Sequence, residues 1–213
     1  MDCRTVVAFL MRHGDKKVEH GRPQDALSEL GIRQVEASAR THLAGVSIVA
    51  VAHSEMERAQ QTARIAMRAT NQEPFWWLQD EAFGFAAAAC DAVPDFPMPS
   101  ALAALKVRGI TEPTVWDLLM EWPPAWLLRG QTIVGLKNLA RQVLASTPTL
   151  GDAPLTMFVA GHSPGLDMVA LDPRTFPRMG EADFMKVTME VPVGDGPVSI
   201  VKTEYLQCPK GVD

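Results

Sequence analysis

Several features that would assign this chain to a special class are missing from its sequence. Its three cysteines, Cys3, Cys90 and Cys208, are scattered and form no CxxC pair, and an odd number of thiols is a poor disulfide framework. No apolar run approaches the length of a membrane span, and the N-terminus enters a predicted strand too early for a signal peptide. These absences predict a cytoplasmic protein with free thiols and no membrane partner.

Excess positive charge is also missing. The 213 residues carry a net charge of -5, which argues against a general nucleic-acid binder. Neither GxGxxG nor GxxxxGK[ST] follows a predicted strand, so a nucleotide-binding protein is a poor alternative. The composition, 47% hydrophobic and 21% charged, is typical of a globular protein. We predict a single domain, residues 1–213, with an insertion at about 71–130.

One apolar stretch dominates the N-terminal part of the chain. Six apolar residues, 6–11, run without a break into Arg12, His13 and Gly14, which is typical of a strand buried on both faces. In parallel sheets the ligand crevice lies beyond the carboxyl ends of the strands. Arg offers a fork of donors for phosphate or carboxylate, and His a nucleophilic nitrogen near neutral pH. The end of this strand is therefore a candidate site.

The remaining pattern indicates alternating strands and helices. Apolar runs at 46–52 and 155–160 predict two more buried strands, helical spacing covers 28–43, 55–69 and 131–145, and another helix is expected near Leu166. Two strands near the C-terminus, joined by a turn at 194–197, predict an edge hairpin. We therefore predict an α/β fold, a three-layer sandwich around a mainly parallel sheet.

Two segments interrupt this pattern. The polar residues 15–25 are predicted to form a loop at the mouth of the crevice. Residues 71–130 are predicted to be an excursion that covers the active-site mouth, with its tryptophans, including Trp116, Trp122 and Trp126, filling a small satellite core. Substrate specificity would reside in these two segments.

Four polar residues are placed at or next to the predicted strand ends. Arg12 and His13 end the first strand, His162 ends the third, and Arg58 follows the second on the next helix. Parallel neighbours would bring all four into one pocket. Two guanidinium groups and two imidazoles suit a dianionic phosphoryl group, whose transfer depends mainly on charge stabilisation. A metal site built from His13, His162, Asp15 or Asp80 matches no known ligand spacing and is the weaker alternative.

Several sequence blocks resemble the histidine phosphatase superfamily, also called the phosphoglycerate mutase-like family. The blocks follow the family order: Arg12-His13-Gly14; Leu27-Ser28-Glu29-Leu30-Gly31; Ser54-Glu55-Met56-Glu57-Arg58-Ala59-Gln60-Gln61-Thr62-Ala63; Gly161-His162-Ser163-Pro164-Gly165. The last block has the form found in small phosphohistidine-phosphatase-like members. The resemblance implies a phosphoglycerate mutase-like fold, no cofactor and no metal.

The resemblance also implies individual roles. His13 would be the nucleophile that forms a phosphohistidine intermediate, and Arg12, Arg58 and His162 would bind the phosphoryl group. Gly14 and Asp15 would contribute to substrate binding. The partner would be a small phosphorylated substrate or a phosphohistidine protein.

The general acid is the least defined role. In many members it is a carboxylate in an L-x-E-x-x-x-G segment, and Leu78 to Gly84 places Asp80 in that register with Glu81 beside it. Aspartate is a methylene shorter than glutamate, and some phosphohistidine phosphatases lack this acid. Asp80, Glu81 and no carboxylic acid remain open.

The function that these residues imply is metal-independent hydrolysis of a phosphomonoester or phosphoramidate. A phosphoglycerate-type mutase and a protein phosphohistidine phosphatase are alternatives within the enzymes. Outside them, a pseudoenzyme that binds a phosphorylated ligand without turnover is the remaining alternative. The oligomeric state is not indicated by the sequence.

Overall fold

A six-stranded sheet runs through the centre of the protein. The computed structural model describes residues 2–84, 98–111, 115–121, 123–147 and 153–212. Its strands are β1 (Cys3–Arg12), β2 (Lys16–Glu19), β3 (Arg22–Leu27), β4 (Ala50–His53), β5 (Trp76–Gln79), β6 (Leu155–Gly161), β7 (Phe184–Pro192) and β8 (Ser199–Leu206). The central sheet has the order β5-β4-β6-β1-β7-β8. The first four of these strands are parallel to one another. Strand β7 pairs antiparallel with β1, and β8 pairs antiparallel with β7. The predicted mainly parallel sheet with a C-terminal edge hairpin is confirmed.

Helices cover both faces of this sheet. They are α1 (Glu29–His42), α2 (Glu57–Ala69), α3 (Met98–Val107), α4 (Val115–Met120) and α5 (Pro123–Ser146), and single 3₁₀ turns lie at Glu81–Phe83 and Asp167–Val169. One buried cluster joins the sheet to α1 and α2, and another joins it to α5. The predicted three-layer arrangement follows from these two cores.

Strand β1 explains why the sheet is central. Its side chains alternate between the two cores, with Val6, Ala8 and Leu10 on the α5 side and Phe9 and Met11 on the α1/α2 side. A strand between two helical layers needs apolar residues on both faces. The unbroken apolar run therefore fixes β1 in the interior and places its polar C-terminal end at the sheet edge.

The segment that follows β1 differs from the prediction. Instead of a loop, residues 16–27 form a two-stranded hairpin of β2 and β3. Its turn contains His20 and Gly21, both with positive φ, a conformation that ordinary side chains disfavour. Most side chains of the two strands are exposed. Their sequence therefore has no alternation of apolar and polar residues that would have predicted strands.

Three element boundaries also differ. The second strand is β4, which begins at Ala50 rather than at residue 46. The predicted helix near Leu166 is a single 3₁₀ turn. Helix α5 begins at Pro123, eight residues before the predicted start, because proline is well suited to a first helical turn.

Only part of the excursion at 71–130 can be compared with the prediction. Residues 85–97 and the side chains of Trp116 and Trp122 lie outside the described residues. Trp126 lies on α5, where its Nε1 donates to the Met120 carbonyl at 3.0 Å. At the start of the excursion, buried Phe83 passes so close to Gly161 that a Cβ at Gly161 would lie 2.6 Å from the Phe83 carbonyl oxygen. Residues 76–79 of this range belong to the central sheet as β5, so the chain leaves the sheet after Gln79 and then lies directly against the end of β6.

Candidate active site

The ends of β1 and β6 bring the two predicted histidines together. Arg12 is paired with Gly161 in the parallel register, and the His13 amide donates to the Gly161 carbonyl at 3.1 Å. The next residues, His13 and His162, therefore leave the sheet side by side. Their ring centroids are 5.0 Å apart, and both side chains are buried, with 6% and 2% of the residue exposed.

The protonation of His13 is fixed by the backbone. Its Nδ1 lies 2.7 Å from the Gly14 carbonyl oxygen, which can only accept, so the ring proton resides on Nδ1 and the lone pair on Nε2. Burial lowers the pKa of His13 to about 4, with the Arg58 and Arg12 guanidinium groups acting in the same direction and the Gly14 hydrogen bond opposing them. His13 is therefore a neutral imidazole at neutral pH, with Nε2 available for nucleophilic attack.

His162 is oriented by a serine at the end of β4. The Ser54 hydroxyl lies 2.7 Å from His162 Nε2 and also accepts the Met56 amide at 3.4 Å. We assign the hydroxyl as donor to Nε2, which places the imidazole proton on Nδ1. Burial, together with the electrostatic effects of His13, Arg58 and Arg12, lowers the pKa of His162 to about 3. The ring thus presents a neutral N–H donor.

Each of the two arginines is anchored through its Nη1 atom. Arg12 Nη1 donates to the Met179 carbonyl at 2.8 Å, and Arg58 Nη1 donates to Asp25 Oδ1 at 2.6 Å. Both Nε atoms are buried. A guanidinium group is planar, so fixing one nitrogen restricts the direction of the remaining N–H groups.

Three buried nitrogen donors in this region have no hydrogen-bond partner among the described residues. They are Arg12 Nε, Arg58 Nε and His162 Nδ1, and we call them the donor triad. Buried polar atoms are almost always paired, so each exception needs an explanation. Both guanidinium groups lower the pKa of each histidine, which places the positive charge around His13 and His162. The arrangement is that of a pocket for an anion.

Comparison with known proteins agrees with this geometry. Residues 8–78 match the family model described as histidine phosphatase superfamily (branch 1). The predicted resemblance to this superfamily is confirmed. The matched segment contains Arg12, His13 and Arg58, whereas His162 lies beyond it. A comparison with curated proteins finds no significant match.

Solved structures of superfamily phosphatases and mutases share the fold. Phosphoglycerate mutase from Bacillus anthracis str. Sterne aligns with a TM-score of 0.57 at 16% identity, over 94% of this chain and 93% of its own. Mycobacterial glucosyl-3-phosphoglycerate phosphatase complexed with VO3 gives 0.51 at 18% identity, over 87% and 91%. The protein histidine phosphatase SixA complexed with tungstate gives 0.51 at 16% identity, over 94% and 97%. At these identities the likeness establishes the phosphoglycerate mutase-like fold.

The carboxylates predicted as the general acid lie at the end of β5. The Asp80 amide donates to the His53 carbonyl at 2.9 Å, and Asp80 Oδ1 accepts the Ala82 amide at 2.9 Å as the cap of a 3₁₀ turn. Glu81 is exposed. Asp80 thus lies at the same sheet edge as the donor triad, with one carboxylate oxygen already engaged. Its role as an acid stays a prediction.

Gly14 and Asp15 are fixed against the start of α1. A Cβ on Gly14 would collide with the Gly31 carbonyl, and a Cβ on Gly31 with the Asp15 carbonyl. The Ser28 hydroxyl donates to Asp15 Oδ2 at 2.6 Å and accepts the Gly31 amide as the N-cap of α1. The closeness of Gly14 thus serves helix packing, and substrate binding by Gly14 and Asp15 stays a prediction.

Three residues of this region escaped sequence reasoning. Asp25 binds Arg58 from the hairpin, and the buried Asp167 accepts the Met179 amide at 2.6 Å, next to the carbonyl that anchors Arg12. Glu181 has its pKa raised by burial and by the adjacent Asp15 carboxylate. All three lie in segments without periodicity, so no sequence signal marks them.

Within the described ranges, no three His, Cys, Asp or Glu side chains form a group that could hold a metal ion. His53 and His42 each bond through a ring nitrogen to a backbone carbonyl, those of Ser54 and Gln207 respectively. Cys3 and Cys208 are free thiols. No helix among the described residues is long and apolar enough to cross a bilayer.

Proposed function

We propose that this protein is a phosphatase that hydrolyses a phosphomonoester or phosphoramidate through a phosphohistidine intermediate on His13. The observation that carries the proposal is the donor triad beside a neutral imidazole. Three N–H groups that find no partner among the described residues would each gain one from a phosphoryl oxygen. Charge-assisted hydrogen bonds of this kind are the main means of stabilising a phosphoryl-transfer transition state.

The first step would transfer the phosphoryl group to the enzyme. His13 Nε2 attacks phosphorus, the bond from phosphorus to the leaving group breaks, and the leaving group takes a proton from a carboxylic acid such as Asp80 or from water. The proton stays on Nδ1, which donates it to the Gly14 carbonyl, and this hydrogen bond stabilises the imidazole as it becomes cationic. Arg12 and Arg58 would hold the equatorial oxygens through their Nε atoms.

The second step would regenerate the free enzyme. Water attacks the phosphohistidine in line, the bond between phosphorus and Nε2 breaks, and inorganic phosphate leaves as His13 returns to its neutral form. In both steps the arginine charges provide the stabilisation that a metal ion would otherwise supply. We therefore propose that turnover needs no metal.

One observation favours a narrower alternative, a protein phosphohistidine phosphatase. Asp80 Oδ1 already accepts the Ala82 amide as the cap of a 3₁₀ turn, which leaves only the second carboxylate oxygen to approach a leaving group. A phosphoramidate leaving group such as imidazole departs more readily than an alkoxide and depends less on such a donor. The mutase and the pseudoenzyme have no observation of this kind in their favour.

The experiment is a turnover assay with p-nitrophenyl phosphate and a phosphohistidine peptide, with and without vanadate and a chelator. We expect turnover of at least one substrate, competitive inhibition by vanadate and no effect of the chelator. Turnover of the peptide alone would favour the narrower alternative. Phosphate binding without turnover of either substrate would support the pseudoenzyme instead. Loss of activity with the chelator would contradict metal independence.

A further inference from the structure

The two arginine anchors differ in kind. Arg12 is held by a backbone carbonyl, that of Met179, whereas Arg58 is held by a side chain, that of Asp25 in strand β3 of the hairpin. Asp25 lies at the fourth position of β3, and its carboxylate is about half exposed. The orientation of Arg58 therefore depends on a surface hairpin.

Asp25 makes two contacts with α2 at once. Its Oδ1 accepts from Arg58 Nη1 at 2.6 Å, and its Oδ2 accepts the Glu57 amide at 3.0 Å. Met56, the N-cap residue of α2, makes no side-chain hydrogen bond to the helix. Asp25 supplies this capping bond from strand β3 instead. One carboxylate thus fixes the start of the helix and the side chain of its second residue.

Stability alone explains the ion pair poorly. Pairs with an exposed partner contribute little to the free energy of unfolding, and here Asp25 has 49% of its side chain exposed against 19% for Arg58. The effect of the ion pair on the orientation of Arg58 is more important than its effect on stability. With Nη1 fixed and the guanidinium planar, Arg58 Nε can point in only a narrow range of directions, and this atom belongs to the donor triad.

We propose that Asp25 is a positioning residue for Arg58. Through this contact, the orientation of the phosphoryl-binding guanidinium group depends on the β2–β3 hairpin. This inference rests on the proposed function, because it assigns Asp25 to the same phosphoryl-transfer site. A substrate whose leaving group contacts the hairpin would change the orientation of Arg58 through Asp25. The hairpin would then influence turnover without contacting the phosphoryl group.

The test compares Asp25→Ala with a matched control. Gln61 also ties β3 to α2, because its Oε1 accepts the Leu27 amide at 2.9 Å, but it does not touch Arg58. Asp25→Ala should lower kcat by about 10- to 100-fold for p-nitrophenyl phosphate or, if the parent protein turns over only the phosphohistidine peptide, for that peptide, since small misplacements of a catalytic group have effects of this size. KM should change less than about threefold, and Gln61→Ala should keep kcat within about twofold.

Two further variants separate positioning from folding. Asp25→Asn keeps an oxygen acceptor for Arg58 and should fold even if Asp25→Ala does not, with a kcat between those of the parent and the alanine variant. In an Arg58→Ala background, Asp25→Ala should have little additional effect on kcat, because the group that it positions is gone.

The outcomes distinguish this inference from the proposed function. If the parent protein turns over substrate but Asp25→Ala loses no more kcat than Gln61→Ala, Asp25 is only a helix cap and the inference fails. An undiminished effect in the Arg58→Ala background would overturn it equally. A parent protein that turns over neither p-nitrophenyl phosphate nor the phosphohistidine peptide would overturn both proposals together.

Discussion

Acidification should destabilise the folded protein through its two buried histidines. The folded-state pKa values of His13 and His162 are about 4 and about 3, against an ordinary value of 6.5. Between these values and 6.5 the unfolded chain binds protons that the folded protein does not. The free energy of unfolding should therefore fall as the pH drops through 6.5, and level off below the folded-state values.

The magnitude follows from these pKa values. At pH 5 the imidazole of His13 is almost fully protonated in the unfolded chain and neutral in the folded one, which lowers the unfolding free energy by about 2 kcal/mol relative to pH 8. The same difference for His162 adds about 2 kcal/mol, so the pair accounts for about 4 kcal/mol. This is a large part of the stability of a typical domain.

Urea unfolding at pH 8 and pH 5, in buffers without phosphate, measures this effect. His13→Asn and His162→Asn should each reduce the pH-dependent loss by about 2 kcal/mol relative to the parent protein. His20→Asn is the control, because His20 is exposed in a turn with positive φ, which asparagine tolerates. If both buried-histidine variants lose as much stability as the parent between the two pH values, the imidazoles are not held neutral by burial.

Two further predictions concern the acid and the start of α1. Asp80→Asn should slow hydrolysis of an alkyl phosphate by roughly 10²–10⁴-fold if Asp80 protonates the leaving oxygen, while p-nitrophenyl phosphate, with its better leaving group, should be little affected. Equal losses on both substrates in steady-state kinetics would exclude Asp80 as the acid. Ser28→Ala should lower the unfolding free energy by about 1 kcal/mol, because it removes the N-cap of α1. An unchanged urea midpoint would show that the cap is dispensable.

The fold was largely predictable because its strands obey a simple rule. Strands between two helical layers must be apolar on both faces, and the runs that became β1, β4 and β6 are the ones with this composition. The β2–β3 hairpin escaped prediction because its strands pack little apolar surface. Its polar residues serve contacts instead, such as that of Asp25 with Arg58.

The candidate site divides in the same way. Arg12, His13 and His162 follow strand ends, so the sheet topology brings them together and the sequence could predict this. The anchors of the arginines could not be predicted. One anchor is the Met179 carbonyl, a backbone group that is present in every residue type. The other is Asp25, which lies in a hairpin that the sequence predicted to be a loop. Such contacts depend on three-dimensional proximity between segments far apart in the chain.

The central claim is that His13 carries the phosphoryl group, and trapping the intermediate tests it most directly. The protein is mixed briefly with a substrate that it hydrolyses, and the reaction is quenched at alkaline pH. Phosphate on histidine is then detected by ³¹P NMR and by mass spectrometry of the peptides. We predict an acid-labile phosphate on His13 that is absent from His13→Ala. Steady turnover by the parent protein with no phosphate on His13, or undiminished turnover by His13→Ala, would contradict the account.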